Sequence, residues 1–215
     1  MSKLYFGICP YGSLVDVFIN LLAGWSDNWL QPCAPDINRN GYPIHRVHEP
    51  YVLQLTNNKP LTFRDIDWRG RMSEIEDVLR NANNKDVWIG TFDPSQAELI
   101  KNYFDDNATI VGISYGADQR EVVLNNAICY YDLSDIDDPV LRQPMYLQKY
   151  KADKAKWDAR IPKEFIPDAE ILFDIKDFFN PEIFIAQVEA FNGKRNEKQL
   201  AYYYDWFYKN QGDRK

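Results

Sequence analysis

Short apolar runs alternate with segments of helical periodicity along much of the chain. The first run covers residues 4–9, and a turn then leads into an apolar segment that extends to residue 22. The turn consists of Pro10, Tyr11, Gly12 and Ser13. The first N–H groups of a helix have no partner within it, and they attract anions. The pattern therefore predicts a strand, a turn and a helix, in which the turn either binds an anion or simply caps the helix.

Two further strand-and-helix units follow in the middle of the chain. Residues 86–91 are a short apolar run, and the Asp-Pro-Ser sequence at residues 93–95 supplies a cap and a first-turn proline for a helix to about residue 104. Residues 108–114 are a β-branched run, and a helix is expected over about residues 118–131. Strands that alternate with helices at this spacing indicate a parallel sheet flanked by helices.

The rest of the chain is less regular. Ser73 followed by Glu76 matches a capping box, so a helix is expected over residues 73–82. Five prolines between residues 27 and 60 are too many for a long helix and predict an irregular excursion. The other expected elements are a short strand at 51–55, a solvated Lys-rich helix at 149–163, a strand at 169–175, and helices at 180–191 and 196–210.

The predicted fold is a single α/β domain over residues 1–215. It has a three-layer arrangement with a parallel sheet between helices, and a mostly helical C-terminal part from residue 139 onwards. Hydrophobic residues make up 45% of the chain and aromatic residues 15%, which excludes a disordered protein. Sheets of this type bind ligands beyond the carboxyl ends of their strands.

Charge and cysteine content narrow the class of function. A formal net charge of −7 argues against a broad nucleic-acid interface, because such an interface neutralises phosphates with Lys and Arg. No segment approaches the ~20 apolar residues of a membrane span, so no membrane contact is expected. The three separated cysteines, Cys9, Cys33 and Cys129, favour reduced thiols and a cytoplasmic location, which is the host cytoplasm if the protein is viral.

The order of these pieces resembles the P-loop sulfotransferases, particularly the short, divergent versions found in viral and marine genomes. Residues 9–13 are similar to that family's Pro-x-x-Gly-Thr/Ser loop, and Thr-Phe-Asp-Pro at residues 91–94 is similar to its Thr-His-x-Pro segment. Residues 110–118 resemble the strand that leads to its Arg-Asn-Pro-x-Asp turn, and Leu-Phe-Asp-Ile at residues 172–175 resembles its late Tyr-Glu-Asp-Leu strand.

The resemblance implies a P-loop transferase-like fold and a nucleotide donor, 3′-phosphoadenosine 5′-phosphosulfate (PAPS), whose sulfuryl group passes to an acceptor hydroxyl. The donor-binding residues that we expect are Pro10, Tyr11, Gly12, Ser13, Arg120 and Arg64. No Gly-Lys-Ser/Thr sequence occurs, so an ordinary ATP or GTP hydrolase is not expected.

Two positions depart from the family. Tyr11 stands where the family's loop carries a Lys or Arg, and Tyr115 stands where an Arg of the family binds the donor's 3′-phosphate. A phosphate in a pocket needs charge-assisted donors to offset its desolvation. Loss of both cations therefore weakens donor binding. A protein can keep this fold after it has lost the transferase activity.

His45 and His48 are the only histidines of the chain. Sulfuryl transfer needs a base that takes the proton of the acceptor hydroxyl, and a histidine suits that role near neutral pH. Both are therefore candidate catalytic residues, with ordinary exposed polar side chains as the alternative. No third Cys or His lies close in sequence, so no metal site is predicted.

Two further clusters have a structural and a functional interpretation. Arg64, Arg69 and Arg71 surround Trp68, and Arg beside an aromatic face suits planar anions, although ion pairs with Asp65, Asp67 and Glu74 are the simpler expectation. The C-terminal helix carries an aromatic face that either docks a protein partner or covers the sheet. The residues of that face are Tyr202, Tyr203, Trp206 and Phe207.

Two functions of different classes follow. The first is a sulfotransferase-like enzyme that acts on a small nucleotide donor and a hydroxyl acceptor. The second is a catalytically inactive scaffold with a P-loop-like fold, such as a viral or virion assembly component, that contacts proteins through its aromatic C-terminal helix.

Overall fold

The computed structural model of the 215-residue chain describes residues 2–10, 12, 36–37, 43–44, 67–124, 127, 152, 154–192, 197 and 201. The strands in these ranges are β1 (Leu4–Ile8), β2 (Asp36–Ile37), β3 (Pro43–Ile44), β4 (Val87–Thr91), β5 (Ala108–Ser114) and β6 (Ile171–Asp174). The helices with defined bounds are α1 (Met72–Asn81), α2 (Gln96–Phe104) and α3 (Pro181–Asn192). Residues 120–124 and 154–158 are also helical.

Four of the strands form one parallel sheet in the order β4-β1-β5-β6. Ile8 at the end of β1 lies opposite Thr91 of β4 and Gly112 of β5, and Ser114 of β5 lies opposite Asp174 of β6. The α/β class with a parallel sheet is therefore confirmed. β1 is an inner strand, because it pairs with a strand on each side.

One face of the sheet packs against α1 and α2. The side chains at alternate positions of β1 are buried there with Ile75 of α1 and Ile100 of α2. The cluster comprises Leu4, Phe6, Ile8, Trp68, Met72, Ile75, Val78, Ala82, Val87, Ile89, Ala97, Ile100, Phe104, Ala108 and Ile110. The intervening side chain Tyr5 lies on the opposite face, where its ring centroid is 5.2 Å from that of Phe191 in α3. Helices thus contact both faces, as the alternating pattern predicts.

Several element bounds agree with the sequence prediction. β5 has the predicted bounds, and β1 and β4 each differ from the prediction by one residue. Asn180 precedes α3, and its side-chain oxygen accepts a hydrogen bond from the Ile183 N–H at 3.4 Å, as a helix cap does.

The predicted capping box of α1 is wrong. The helix begins at Met72 with Arg71 at the N-cap, so Ser73 is already inside the first turn. The reason is that a 3₁₀ turn (Trp68–Gly70) leads directly into the helix, and the Arg71 N–H donates to the Trp68 carbonyl at 2.9 Å. Glu76 instead accepts a hydrogen bond from the Tyr103 hydroxyl at 3.1 Å.

The Lys-rich helix is shorter and less solvated than predicted. Its described helical residues end at 158, and the N–H groups of Arg160 and Ile161 both donate to the Trp157 carbonyl at 2.9 Å. Pro162, which has no N–H group, then prevents another helical turn. Trp157 is fully buried, with the cations of Lys156 and Arg160 over its ring at 5.2 and 5.5 Å.

Other predictions fall outside the described residues. These are the helix up to residue 22, the strand at 51–55, and the helix at 196–210 except for Glu197 and Ala201. Within the irregular excursion, β2 and β3 form a short antiparallel pair that the sequence pattern does not predict. None of the helices in the described part of the chain is long and apolar enough to cross a membrane.

Glu170 joins β5 to the start of β6. One carboxylate oxygen accepts from Lys101 Nζ at 2.8 Å and the other accepts from the Ile110 N–H at 2.8 Å, while the Glu170 N–H donates to the Ile110 carbonyl at 3.1 Å. The hydrogen bond from Lys101, followed by that from Ile110, holds the pKa of Glu170 below its usual value. The carboxylate therefore contributes stability only while it is ionised.

We predict that Glu170→Gln lowers the free energy of unfolding at pH 7 by about 1 kcal/mol, because a charge-assisted bridge is lost at a half-exposed position. The difference between the two proteins should shrink as the pH falls through the lowered pKa of Glu170, since protonation weakens the wild-type bridge in the same way. Urea unfolding at pH 7 and at pH 3 measures both effects.

Glu98→Gln is the matched control, because Glu98 is exposed on α2. It should change stability by less than about 0.5 kcal/mol at either pH. Equal stability of Glu170→Gln and the wild type at pH 7 would contradict the bridging role.

Candidate ligand crevice at the carboxyl edge of the sheet

The order of the strands reverses next to β1. From β1 the chain reaches β4 on one side, and it then crosses to β5 on the other side before it continues outward to β6. The strand order therefore reverses between β1 and β5, and the region beyond the carboxyl ends of these two strands is called the crevice below. In open α/β sheets this switch point is the usual ligand site.

The turn after β1 packs closely against the segment that follows β5. Cys9 and Pro10 are buried, and the Cys9 N–H donates to the Thr91 carbonyl at 3.1 Å. Gly12 has a positive φ of 74°, and a Cβ built on it would lie 2.1 Å from the Val123 carbonyl oxygen. Glycine is required here both for the backbone conformation and for the approach of the helical segment.

A buried network fixes the end of β4. The Thr91 hydroxyl oxygen accepts from the Asp93 N–H at 3.0 Å and from Gln96 Nε2 at 3.3 Å. Gln96 Oε1 accepts from the Trp68 N–H at 2.8 Å, and the Trp68 indole N–H donates to the Gly90 carbonyl at 3.1 Å. Sequence reasoning missed this network, although a Thr and a Gln that flank a helix start are a weak signal for it.

The helix α2 begins at Gln96 with Ser95 at the N-cap and without a side-chain cap hydrogen bond, so Asp93 and Pro94 lie before the helix and the predicted first-turn proline is wrong. Asp93 instead stabilises the turn that precedes the helix. Its Oδ1 accepts from the Ser95 N–H at 3.0 Å and from the Ser95 hydroxyl at 2.7 Å. The bond from the Ser95 hydroxyl is the largest cause that lowers the pKa of Asp93. A carboxylate stabilised in this way is a weak base, so its contacts favour a structural role.

The turn after β5 satisfies its own backbone donor. The Gly116 N–H donates to Gln119 Oε1 at 3.0 Å, and Gln119 Nε2 donates to the Asp118 carboxylate. An amide group and a carboxylate thus stand at the start of helical residues 120–124, where an anion would otherwise interact with the helix dipole.

The hydrogen-bonding directions of the strands show what lies beside the end of β5. Lys3 and Cys9, which flank β1, bond to Val87 and Thr91 of β4, so the backbone groups of the even-numbered residues of β1 face β5. In β5, Ile110 bonds to Glu170, so its even-numbered residues face β6 and its odd-numbered residues face β1. Tyr115 therefore points its N–H and carbonyl to the β1 side.

Phe165 occupies that position beside β5. The Tyr115 N–H donates to the Phe165 carbonyl and the Phe165 N–H donates to the Tyr115 carbonyl, each at 2.9 Å, in an isolated antiparallel bridge. The last β1 residue in register with β5 is Ile8, opposite Gly112. The Phe165 backbone thus fills the space beside β5 that β1 leaves when it ends.

Two side chains bind the same segment. The Tyr115 hydroxyl donates to the Pro162 carbonyl at 2.8 Å, and burial raises the pKa of Tyr115 to about 12. Arg120 Nε donates to the carbonyls of Ile161 and Pro162 at 3.2 and 3.1 Å, and Nη2 donates to that of Ile161 at 2.8 Å. Arg120 Nη1 pairs with Asp158 Oδ1 at 2.9 Å.

Three of the predicted donor-binding residues are described, and they gather at this crevice. Pro10 and Gly12 leave β1, and Arg120 lies at the start of the helical residues that pack on Gly12. The positions of Tyr11, Ser13, Arg64, His45 and His48 fall outside the described residues, and their roles stay predictions. Within the described ranges, no group of three His, Cys, Asp or Glu side chains is arranged to hold a metal ion.

The basic and aromatic cluster does not form an aromatic binding surface. Trp68 is only 1% exposed and belongs to the core. Arg69 pairs with Asp67 at 2.8 Å, and Arg71 lies 3.8 Å from Glu74. The ion pairs expected as the simpler interpretation are thus confirmed for these two arginines.

Comparison of the chain with protein-family models, with curated proteins and with solved structures finds no match.

We predict that Gly12→Ala lowers the free energy of unfolding by about 2 kcal/mol or more, because an added Cβ is strained at positive φ and clashes with the Val123 carbonyl. Urea unfolding measures the loss. Gly70→Ala is the control, since nothing lies within 4 Å of a Cβ at that position. Equal stability of the two variants would show that the close approach of Gly12 is not required. Substitutions at Gly12 therefore test packing, and Ser13 is the better position to test anion binding.

Proposed function

We propose that the protein is a sulfotransferase-like transferase that binds a phosphorylated nucleotide donor, such as PAPS, at the β1/β5 crevice. The observation that carries this proposal is the position of the turn after β1. The turn leaves an inner strand of a parallel sheet at the point where the strand order reverses. Switch points of this kind are where α/β sheets bind nucleotides.

The proposed reaction transfers a sulfuryl group to an acceptor hydroxyl. The acceptor oxygen forms a bond to the donor sulfur, and the bond between sulfur and the bridging phosphate oxygen breaks, which leaves 3′-phosphoadenosine 5′-phosphate. His45 or His48 takes the hydroxyl proton as the general base. Gly12 and Ser13 hold the transferred group, and Arg120 or Arg64 neutralises the donor phosphate.

Because the chain is acidic, binding of an anionic donor depends on local hydrogen-bond donors rather than on long-range electrostatic attraction. With a net charge of −7, long-range attraction does not bring an anionic donor to the site. Binding then rests on hydrogen-bond donors close to the ligand, which form charge-assisted bonds with its phosphate.

A non-catalytic scaffold is the second candidate, and the partners of Arg120 favour it. Its guanidinium donates to the Asp158 carboxylate and to the main-chain carbonyls of Asp158, Ile161 and Pro162, and the Tyr115 hydroxyl donates to the Pro162 carbonyl. Both side chains therefore stabilise the fold without a ligand. In this alternative the parallel sheet is a framework for protein contacts, and the crevice binds no donor.

We expect 3′-phosphoadenosine 5′-phosphate to raise the thermal unfolding temperature by about 5 °C or more at ~100 times its dissociation constant, because it binds only the folded state. Ser13→Ala should reduce this rise, while Ser73→Ala, at an exposed position on α1, should leave it unchanged. Differential scanning fluorimetry measures all three proteins.

Adenosine without phosphate is the ligand control, and it should produce no rise. No response of the wild type to saturating 3′-phosphoadenosine 5′-phosphate would favour the scaffold. A rise that is equal in the wild type and in Ser13→Ala would place the anion site away from the turn.

A further inference from the structure

Residues 161–167 form a strap beside the end of β5. Its two ends are anchored, because Ile161 is 2% exposed and Pro167 is buried over Gly112. Between the anchors, Phe165 is half-buried, while Pro162, Lys163, Glu164 and Ile166 are exposed. The middle of the strap is thus a short surface segment between two fixed points.

Three donors converge on the carbonyl oxygens of this strap. The Tyr115 N–H donates to the Phe165 carbonyl at 2.9 Å. The Tyr115 hydroxyl and Arg120 Nε both donate to the Pro162 carbonyl, at 2.8 and 3.1 Å. The hydroxyl and the guanidinium thus share one carbonyl oxygen, and two donors directed to the same oxygen are what an oxyanion site supplies.

We propose that the strap competes with ligands for the crevice, and that an anionic ligand binds by displacing the Pro162 carbonyl from the Tyr115 hydroxyl and Arg120 Nε while the bridge between Phe165 and Tyr115 opens. The strap moves between its anchors at residues 161 and 167. The identity of the ligand as a nucleotide donor rests on the function proposed above, whereas the opening of the strap does not.

The exchange of partners favours a charged ligand. Neutral carbonyls satisfy the three donors in the closed strap, but a phosphate or sulfate oxygen forms charge-assisted hydrogen bonds that are stronger. Arg120 keeps its bonds to Asp158 and Ile161 while Nε changes partner, so the guanidinium does not have to move. Arg120 can therefore stabilise the closed strap and, after the strap opens, bind the ligand through Nε.

Local opening of the strap requires less free energy than separation of the strands of the sheet. Phe165 forms one isolated bridge to β5, its ring stacks on that of Tyr115 with centroids 6.3 Å apart, and its half-buried side chain packs against the core cluster. β5 itself pairs along its length with β1 and β6 and is buried throughout. The side chain of Phe165 is the main apolar attachment between the two anchors, and a segment held at so few points opens locally, without unfolding of the core.

The test uses variants of the strap that leave the three donors intact. Phe165→Ala removes the ring stack and should favour the open strap by about tenfold. Glu164→Gly favours it through greater chain freedom and keeps every buried contact, so it serves if Phe165→Ala folds poorly. Ile166→Ala is the matched control, because Ile166 is 69% exposed.

Hydrogen–deuterium exchange of the full chain measures opening, and calorimetry measures binding of two probes, 3′-phosphoadenosine 5′-phosphate and inorganic pyrophosphate. We expect faster amide exchange at residues 163–166 in Phe165→Ala and in Glu164→Gly, with unchanged exchange in β1 and β5. We also expect each of these variants to bind the probes more tightly than Ile166→Ala does, by about tenfold for Phe165→Ala.

Either of two results would overturn the proposal that the strap opens and competes with a ligand. The first is amide exchange at residues 163–166 that is as slow as in β5 in the wild type and in both strap variants. The second is faster exchange without tighter binding of either probe. Tighter binding of pyrophosphate alone supports the strap and rejects the nucleotide donor, so the two proposals can fail separately.

Discussion

The main-chain pairing of β1 with β4 on one side and β5 on the other positions everything else in the described structure. It places alternate side chains of β1 in the core with α1 and α2, and it directs the intervening side chains to the face that α3 covers. It also sets where β1 ends relative to β5. Because β5 continues for two residues beyond Gly112, its end has a free side, and Phe165 takes that side after one further residue.

The sequence was sufficient for the four strands of the sheet and for the bodies of α1, α2 and α3. The apolar run of β5 and the Asn180 cap of α3 are local sequence preferences, and in both cases the structure formed agrees with the local preference. The start of α1 was missed because the 3₁₀ turn before it depends on the burial of Trp68, which is a tertiary contact. The same reason explains why an apparently solvated helix contains a fully buried Trp157.

The sequence predicted the position of the candidate site in the fold but not the hydrogen-bond partners of its side chains. The turn after β1 and Arg120 could be assigned to one edge of the sheet, because the carboxyl ends of parallel strands meet there. The partners of Arg120 could not, since they are carbonyls of residues about 40 positions away in the chain. Main-chain carbonyls carry no residue-specific signal, so no sequence pattern identifies them as partners.

The contact of Gly12 with the helical residues after β5 has a consequence for how this protein can change. The Gly12 backbone lies so close to the Val123 carbonyl that a Cβ does not fit between them, so neither segment can shift toward the other. A wider cavity therefore cannot come from substitutions in the turn, which would push the helix start and Arg120 outward together. Adaptation to a larger molecule would have to change the length of the chain between Ile161 and Pro167, where the exposed residues Lys163 and Glu164 offer a place for an insertion between the contacts of Pro162 and Phe165.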